Sequence, residues 1–302
     1  MIKINLTDDV CEFYYNQIEK EFTQLLNSLK GEPKLKNLIS FLFDKWGHLD
    51  EIKLKRLLVG SPHDLEKIIS EIGKIPVGGN HRLVKFYKKI SQRKVIREIL
   101  KEINSNVCPY CNRMYTITLE KGRVRPQLDH FYPKTLYPYL SVSLYNLIPC
   151  CSICNQKKSQ LDPCATPILH PYKEEFGNNV IFEISPTKNC YKYLIGDSED
   201  FEIKLKCLDS KMESKVSNLN QTFAITDIYN EHKEYITDLL KMMVVYNQSQ
   251  LDEYNQNFSN LFNGRANMDK EIYNIIMPNL PKESWRNKSF GKLTNDIYNQ
   301  FK

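Results

Sequence analysis

The sequence predicts an α+β protein, helical at both ends and strand-containing in the middle. Three observations carry this. Apolar residues recur at spacings of three and four through the first hundred residues and again from about Ser214. Two short runs, Val180–Ile184 and Phe201–Leu205, alternate apolar and polar residues, the period of a strand. Between these regions two Cys-x-x-Cys pairs, Cys108/Cys111 and Cys151/Cys154, bracket a stretch dense in polar residues. The expected division is a helical region over 1–104, a cysteine-stapled module over 105–175, and a C-terminal region of short strands followed by helices over 176–302.

Bulk properties set the frame. A chain of 302 residues with 41% hydrophobic and 26% charged residues can bury a sizeable core, which excludes wholesale disorder. The formal charge of +6 is compatible with a polyanionic partner. The first residues, Met1 to Leu6, hold no apolar run of signal-peptide length, and no segment approaches a membrane span. A cytoplasmic protein with no membrane partner is expected. Its nine cysteines then read as thiols or metal ligands rather than disulfides.

In the N-terminal region, Asp8 or Asp9 caps a predicted helix with Phe13, Tyr14, Ile18, Phe22, Leu25, Leu26 and Leu29 on one face, ended by Gly31-Glu32-Pro33. A second helix holds Leu38, Ile39, Phe41, Leu42 and Trp46. Ser61-Pro62-His63-Asp64 signals the start of a third, burying Leu65, Ile68, Ile69 and Ile72. A basic helix follows over Arg82 to Ile103. Its Lys85, Lys89, Arg93, Arg97 and Lys101 recur every four residues, either as a solvated face or as a phosphate-facing ridge. Met114–Leu119 and Arg123–Asp129 flank Glu120-Lys121-Gly122 as a β-hairpin. Past the two strands, one long helix holds Ile228, Tyr235, Leu239, Leu240, Met243 and Tyr246 and extends towards Leu251 or Tyr254. A shorter helix spans Met268 to Met277, and another Phe290 to Phe301. No phosphate-cradling P-loop is present, so the chain is not itself expected to be an ATPase.

The chemistry concentrates between Cys108 and Ser159. Two Cys-x-x-Cys knuckles can supply four thiolates to a structural Zn²⁺, and the spacing selects Cys151 over its neighbour Cys150. A closed four-thiolate site has no open position, so any reaction falls to the residues it holds in place. His130 is a candidate general base near neutral pH. Asp129 is a hard oxygen ligand suited to Mg²⁺ or Mn²⁺, and Asn155 can add a carbonyl oxygen to the same ion. Lys157 and Lys158 are placed to meet phosphate oxygens, as is the start of the helix that carries them. Tyr110, Tyr115, Tyr132, Tyr137 and Tyr139 cluster nearby as candidates for stacking on bases. Trp46 and Trp285 read as packing residues.

Asp129-His130, Asn146-Leu147 with Cys151 five residues beyond Asn146, and Cys154-Asn155 followed by Lys158 together resemble the HNH nuclease motif of the ββα-metal (His-Me finger) superfamily, in its zinc-binding four-cysteine form. The resemblance covers about 50 to 65 residues and implies a central ββα-metal module. It makes His130 the general base, Asn146 the residue that orients its imidazole, and Asp129 with Asn155 the holders of one divalent ion. Asn155 departs from the commoner His. The resemblance further implies that Lys134, Lys157 and Lys158 meet substrate, and that the activity is endonucleolytic hydrolysis of phosphodiester bonds, DNA favoured and RNA possible. More loosely, Asp129-His130-Phe131-Tyr132-Pro133-Lys134 and Asn146-Leu147-Ile148-Pro149 are similar to HNH proteins of the Septu anti-phage type, which work beside a separate ABC-type ATPase. The alternative is a catalytically silent zinc-ribbon module that binds nucleic acid or protein.

Overall fold

The computed structural model describes residues 1–121, 124–188, 191–246, 249–250, 253 and 281–301. The chain forms two compact units, Met1–Glu175 and Phe176–Lys302. The boundary expected near residue 104 falls inside the first unit. The fold is mixed, with helices and two small two-stranded sheets.

In the first unit, α1 (Asp8–Asn27) buries Val10, Tyr14, Ile18, Phe22 and Leu26. Its cap is Thr7, whose hydroxyl accepts from the Val10 N–H, rather than Asp8 or Asp9, which lie in the first turn. Two short helices follow, α2 (Lys36–Leu42) and α3 (Glu51–Val59), the second not anticipated from the sequence. Trp46 lies beyond α2 and is 74% exposed, against the packing role expected of it. The α4 helix (Pro62–Ile72) begins at the expected signal, with Ser61 and Asp64 exchanging hydrogen bonds as a capping box.

The single basic helix expected over Arg82 to Ile103 is two helices, α5 (Arg82–Ile90) and α6 (Lys94–Glu102). The buried residues explain the break. Leu83, Val84 and Ile90 face inward from α5, and Val95, Ile96, Ile99 and Leu100 from α6. On one continuous helix these two sets would lie about 170° apart, so the chain must turn to bury both. The cationic row is broken with it. Lys89 and Arg93 both pair with Glu21, and Lys101 pairs with Glu120.

The centre of this unit is β1 (Gln127–His130) paired antiparallel with β2 (Leu147–Cys150), followed by α7 (Ser152–Lys158). Of the hairpin expected around Glu120-Lys121-Gly122, the described residues show one backbone hydrogen bond across the turn, Leu119 N–H to Val124 O at 3.1 Å, without a strand ladder, and Gly122 and Arg123 lie outside them. The Met114–Thr116 stretch instead closes back on the first knuckle through Cys108 N–H to Met114 O and Thr116 N–H to Asn106 O, both 2.8 Å. The connection from β1 to β2 is packed against the N-terminal helices. Tyr14 Oη donates to Val142 O, Ser143 Oγ to Leu57 O and Ser141 Oγ to Leu83 O. These contacts make the helical region and the ββα centre one body.

In the second unit, β3 (Val180–Pro186) and β4 (Phe201–Cys207) form an antiparallel pair at the expected places. Among the described residues its helices are α8 (Ser210–Phe223), α9 (Ile225–Asn230), α10 (Lys233–Val245) and α11 (Gly291–Phe301). The long helix expected through Ile228 and Tyr246 is thus divided at Glu231-His232, and its extension to Leu251 or Tyr254, like the helix over Met268 to Met277, lies outside the described residues. Trp285 is buried, as expected. Side chains occupy the middle of both outer sheet edges. Asp296 Oδ2 accepts from Phe182 N–H, and Gln300 bonds both N–H and O of Ile184. Asn230 does the same to Ile203 on the opposite edge. Four residues along a helix advance about 6 Å and two along a strand about 6.6 Å, so Asp296 and Gln300 match the Phe182–Ile184 step.

Candidate active site and metal centre

The four cysteines selected by spacing converge. One sulfur from each of Cys108, Cys111, Cys151 and Cys154 lies within 4.8 Å of the other three, and all four residues are buried. Tetrahedral zinc with bonds of about 2.3 Å needs sulfurs about 3.8 Å apart, so the set fits such an ion with small adjustment. Burial pushes the Cys108 thiol well up, while hydrogen bonds from Cys108, Cys151 and Cys154 pull Cys111 well down. Cys150 is buried but outside the group.

Both knuckles reach Asp129. Tyr110, inside the first Cys-x-x-Cys, donates its hydroxyl to Asp129 Oδ2 at 2.7 Å. Lys158, at the end of α7, places Nζ 3.3 Å from Oδ1 and 3.2 Å from Oδ2, and donates to His130 O at 2.7 Å. Asp129 and Lys158 are 3% and 1% exposed. Burial raises the Asp129 carboxyl above its ordinary range, and Lys158 and Tyr110 oppose that rise. Two expectations change here. Lys158 does not face solvent for phosphate, because positions 151, 154 and 158 share the inward face of α7. Both oxygens of Asp129 are held by protein donors, and Asn155 Nδ2 is engaged with Gln127 Oε1 at 2.6 Å. A divalent cation placed on Asp129 would lie beside the Lys158 ammonium, so in this arrangement the Asp129–Asn155 pair does not fit Mg²⁺ or Mn²⁺. Among the described residues the four cysteines are the one cluster of three or more His, Cys, Asp or Glu residues disposed for a metal.

His130 points the other way, as the next residue on a strand must. Its Nε2 lies 3.0 Å from Ser141 O, a carbonyl, so Nε2 carries the proton and Nδ1 is the basic nitrogen. Lys134 Nζ lies 3.5 Å from Nδ1, and the Tyr87 ring packs edge-on at 4.3 Å. Burial, then the Lys134 charge, hold the imidazole well below its usual pKa, so it is neutral at pH 7. Burial likewise lowers the Lys134 ammonium.

Asn146 does not touch the imidazole through the hydrogen bonds it makes. It is fully buried, accepts from Tyr132 N–H at 2.7 Å, and donates to Tyr132 O and Leu140 O. It fixes the loop whose Ser141 carbonyl receives His130. The chain reads it as a support for that loop because both ends of its amide meet backbone groups.

An open cleft of about 620 Å³ is lined by Tyr87, Arg97, Arg125, Gln127, Lys134 and Asn155 among others; His130 is buried outside this lining and meets it through Lys134 and Tyr87. Lys157 is exposed on α7 and outside this lining. Of the tyrosines expected to stack on bases, Tyr110, Tyr132, Tyr137 and Tyr139 are buried and Tyr115 is 57% exposed. The sequence does not mark Ser141 as a partner of the site, and Tyr110, expected to stack on bases, instead donates to Asp129. Ser141 acts through its backbone, which leaves no mark in sequence, whereas Tyr110 stands between two expected ligands.

The chain is 30% identical over 129 residues to the Septu protein PtuB of Bacillus thuringiensis, covering 43% of this chain and 45% of that protein. The chain therefore spans less than half the length of this relative. No family model matches the chain, and no solved structure matches it.

Proposed function

We propose that the chain is an HNH-type endonuclease that hydrolyses nucleic-acid phosphodiester bonds, DNA favoured, and acts in anti-phage defence of the Septu type beside a separate ABC-type ATPase. The observation that carries the catalytic part is His130: a neutral imidazole with Nε2 fixed on Ser141 O and Nδ1 beside Lys134 at a cationic cleft. The distant similarity to PtuB supports the defence setting. Four cysteines hold a structural zinc that joins the two knuckles around Asp129.

In the reaction, Nδ1 of His130 takes a proton from water as the water oxygen bonds to phosphorus. The bond from phosphorus to the 3′-oxygen breaks, and the leaving oxygen takes a proton from solvent. The products are a 5′-phosphate and a 3′-hydroxyl. Lys134, beside the base, offsets negative charge developing on the phosphate oxygens. The rival is a catalytically silent zinc-stapled binding module, favoured by the engagement of Asp129 with Lys158 and Tyr110. Plasmid nicking by wild type and His130→Ala, with and without Mg²⁺ or Mn²⁺, separates the two. The nuclease reading expects cleavage that His130→Ala reduces at least a hundredfold. Equal cleavage by both proteins removes His130 from the mechanism, and no cleavage by wild type supports the silent module.

A further inference from the structure

We infer that Arg97 and Arg125 form a backbone-phosphate clamp in the cleft beside His130, so that the strand is held by α6 and the segment leading into β1. The inference rests on the nuclease reading only for which polymer is cut. Ten of the described residues line the cleft, and Arg97, Arg125 and Lys134 are the charged members among them, with no carboxylate. Arg97 and Arg125 are half-buried and neither takes part in an ion pair among the described residues. This separates Arg97 from three cations of its row, since Lys89 and Arg93 are neutralised by Glu21 and Lys101 faces Glu120.

An arginine kept partly out of water without a carboxylate carries a charge that an anion can satisfy, and its fork suits two phosphate oxygens. Arg125 leads directly into β1, two residues before Gln127, and Arg97 approaches from α6, so the two arginines come from different elements. The floor is built from a linked amide pair, Asn155 Nδ2 donating to Gln127 Oε1. Amides and arginines together accept a polyanion without demanding a sequence, which is how phosphate contacts work. Lys134 then meets the scissile phosphate next to Nδ1, and the arginines hold its neighbours.

The test measures binding, not cutting. The full-length His130→Ala protein is titrated with a fluorescent duplex DNA oligonucleotide, and affinity is followed over roughly 50–200 mM salt. Arg97→Gln and Arg125→Gln, each in that background, should weaken binding roughly tenfold and reduce the salt slope by about 1 each. Lys85→Gln, exposed on α5 and outside the cleft, should leave the slope unchanged. Unchanged slopes in both arginine variants, with melting temperatures equal to the parent, overturn the clamp. Slopes that fall as expected while the wild-type protein cuts neither DNA nor RNA uphold the clamp and defeat the nuclease reading instead.

Discussion

Replacing Lys158 with Met is the sharpest test of how the centre is held. The change keeps the length of the side chain and removes one charge that is 1% exposed. Asp129, 3% exposed, is left with Tyr110 as its remaining donor among those described above, and His130 O loses a 2.7 Å hydrogen bond. Breaking a buried ion pair from one side costs about 3–5 kcal/mol. For a compact unit of this size that is a fall in melting temperature of roughly 6–20 °C. Thermal unfolding followed by near-UV circular dichroism measures it. Lys157→Met, exposed and one residue away, should stay within about 0.5 kcal/mol of wild type. The loss should also shrink as pH falls, because the Lys158 charge is the largest of the effects that oppose burial in setting the Asp129 carboxyl. Without it the folded-state pKa of Asp129 rises further, so stability in the variant is retained at low pH and lost as pH climbs through that value. Adding Asp129→Asn should restore part of the loss. A Lys158→Met protein that melts within about 1 kcal/mol of wild type would refute the argument.

Three further expectations bear on the chemistry. Cys151→Ser should reduce bound zinc, read by elemental analysis of the purified protein, and lower the melting temperature, while Cys150→Ser should retain zinc because its sulfur lies outside the cluster; equal metal content in the two variants would reject the assignment. Lys134→Met should raise the pKa of His130, since the Lys134 charge is second only to burial in depressing it. The acidic limb of any cleavage profile then moves to higher pH, and an imidazole NMR titration that does not move with it counts against the pairing. A histidine with a depressed folded-state pKa costs stability as pH falls below about 6.5, where the unfolded chain takes up a proton first, and that acid-side loss should be smaller in Lys134→Met.

Much of the centre was legible because the chemistry constrains spacing. Two residues between thiols make a knuckle, and two knuckles can complete one tetrahedron, so Cys108, Cys111, Cys151 and Cys154 could be chosen over Cys150. The strands Val180–Pro186 and Phe201–Cys207 were legible from alternation for the same reason. Lys158 was misread although the information was present: a residue seven after Cys151 and four after Cys154 lies on their face of a helix. The break at Ser91 was likewise written in the phase of the apolar residues on either side. Asn146 is different. Its partners are backbone atoms of Tyr132 and Leu140, placed by a loop that no periodicity describes. The cleft was beyond reach for a related reason, since whether Arg93 or Arg97 is free depends on where Glu21 sits.

A two-stranded sheet has no interior strand, so β3 and β4 are both exposed to lateral recruitment by any extended chain. In the second unit that route is shut at its midpoint on each side, because Asp296 and Gln300 already occupy Phe182 and Ile184, and Asn230 occupies Ile203. Polymerisation by strand addition would have to strip out these side chains and leave them unsatisfied. Any protein that recognises this sheet must therefore read its side chains, and a partner that supplies only a matching length of backbone will find no place to add.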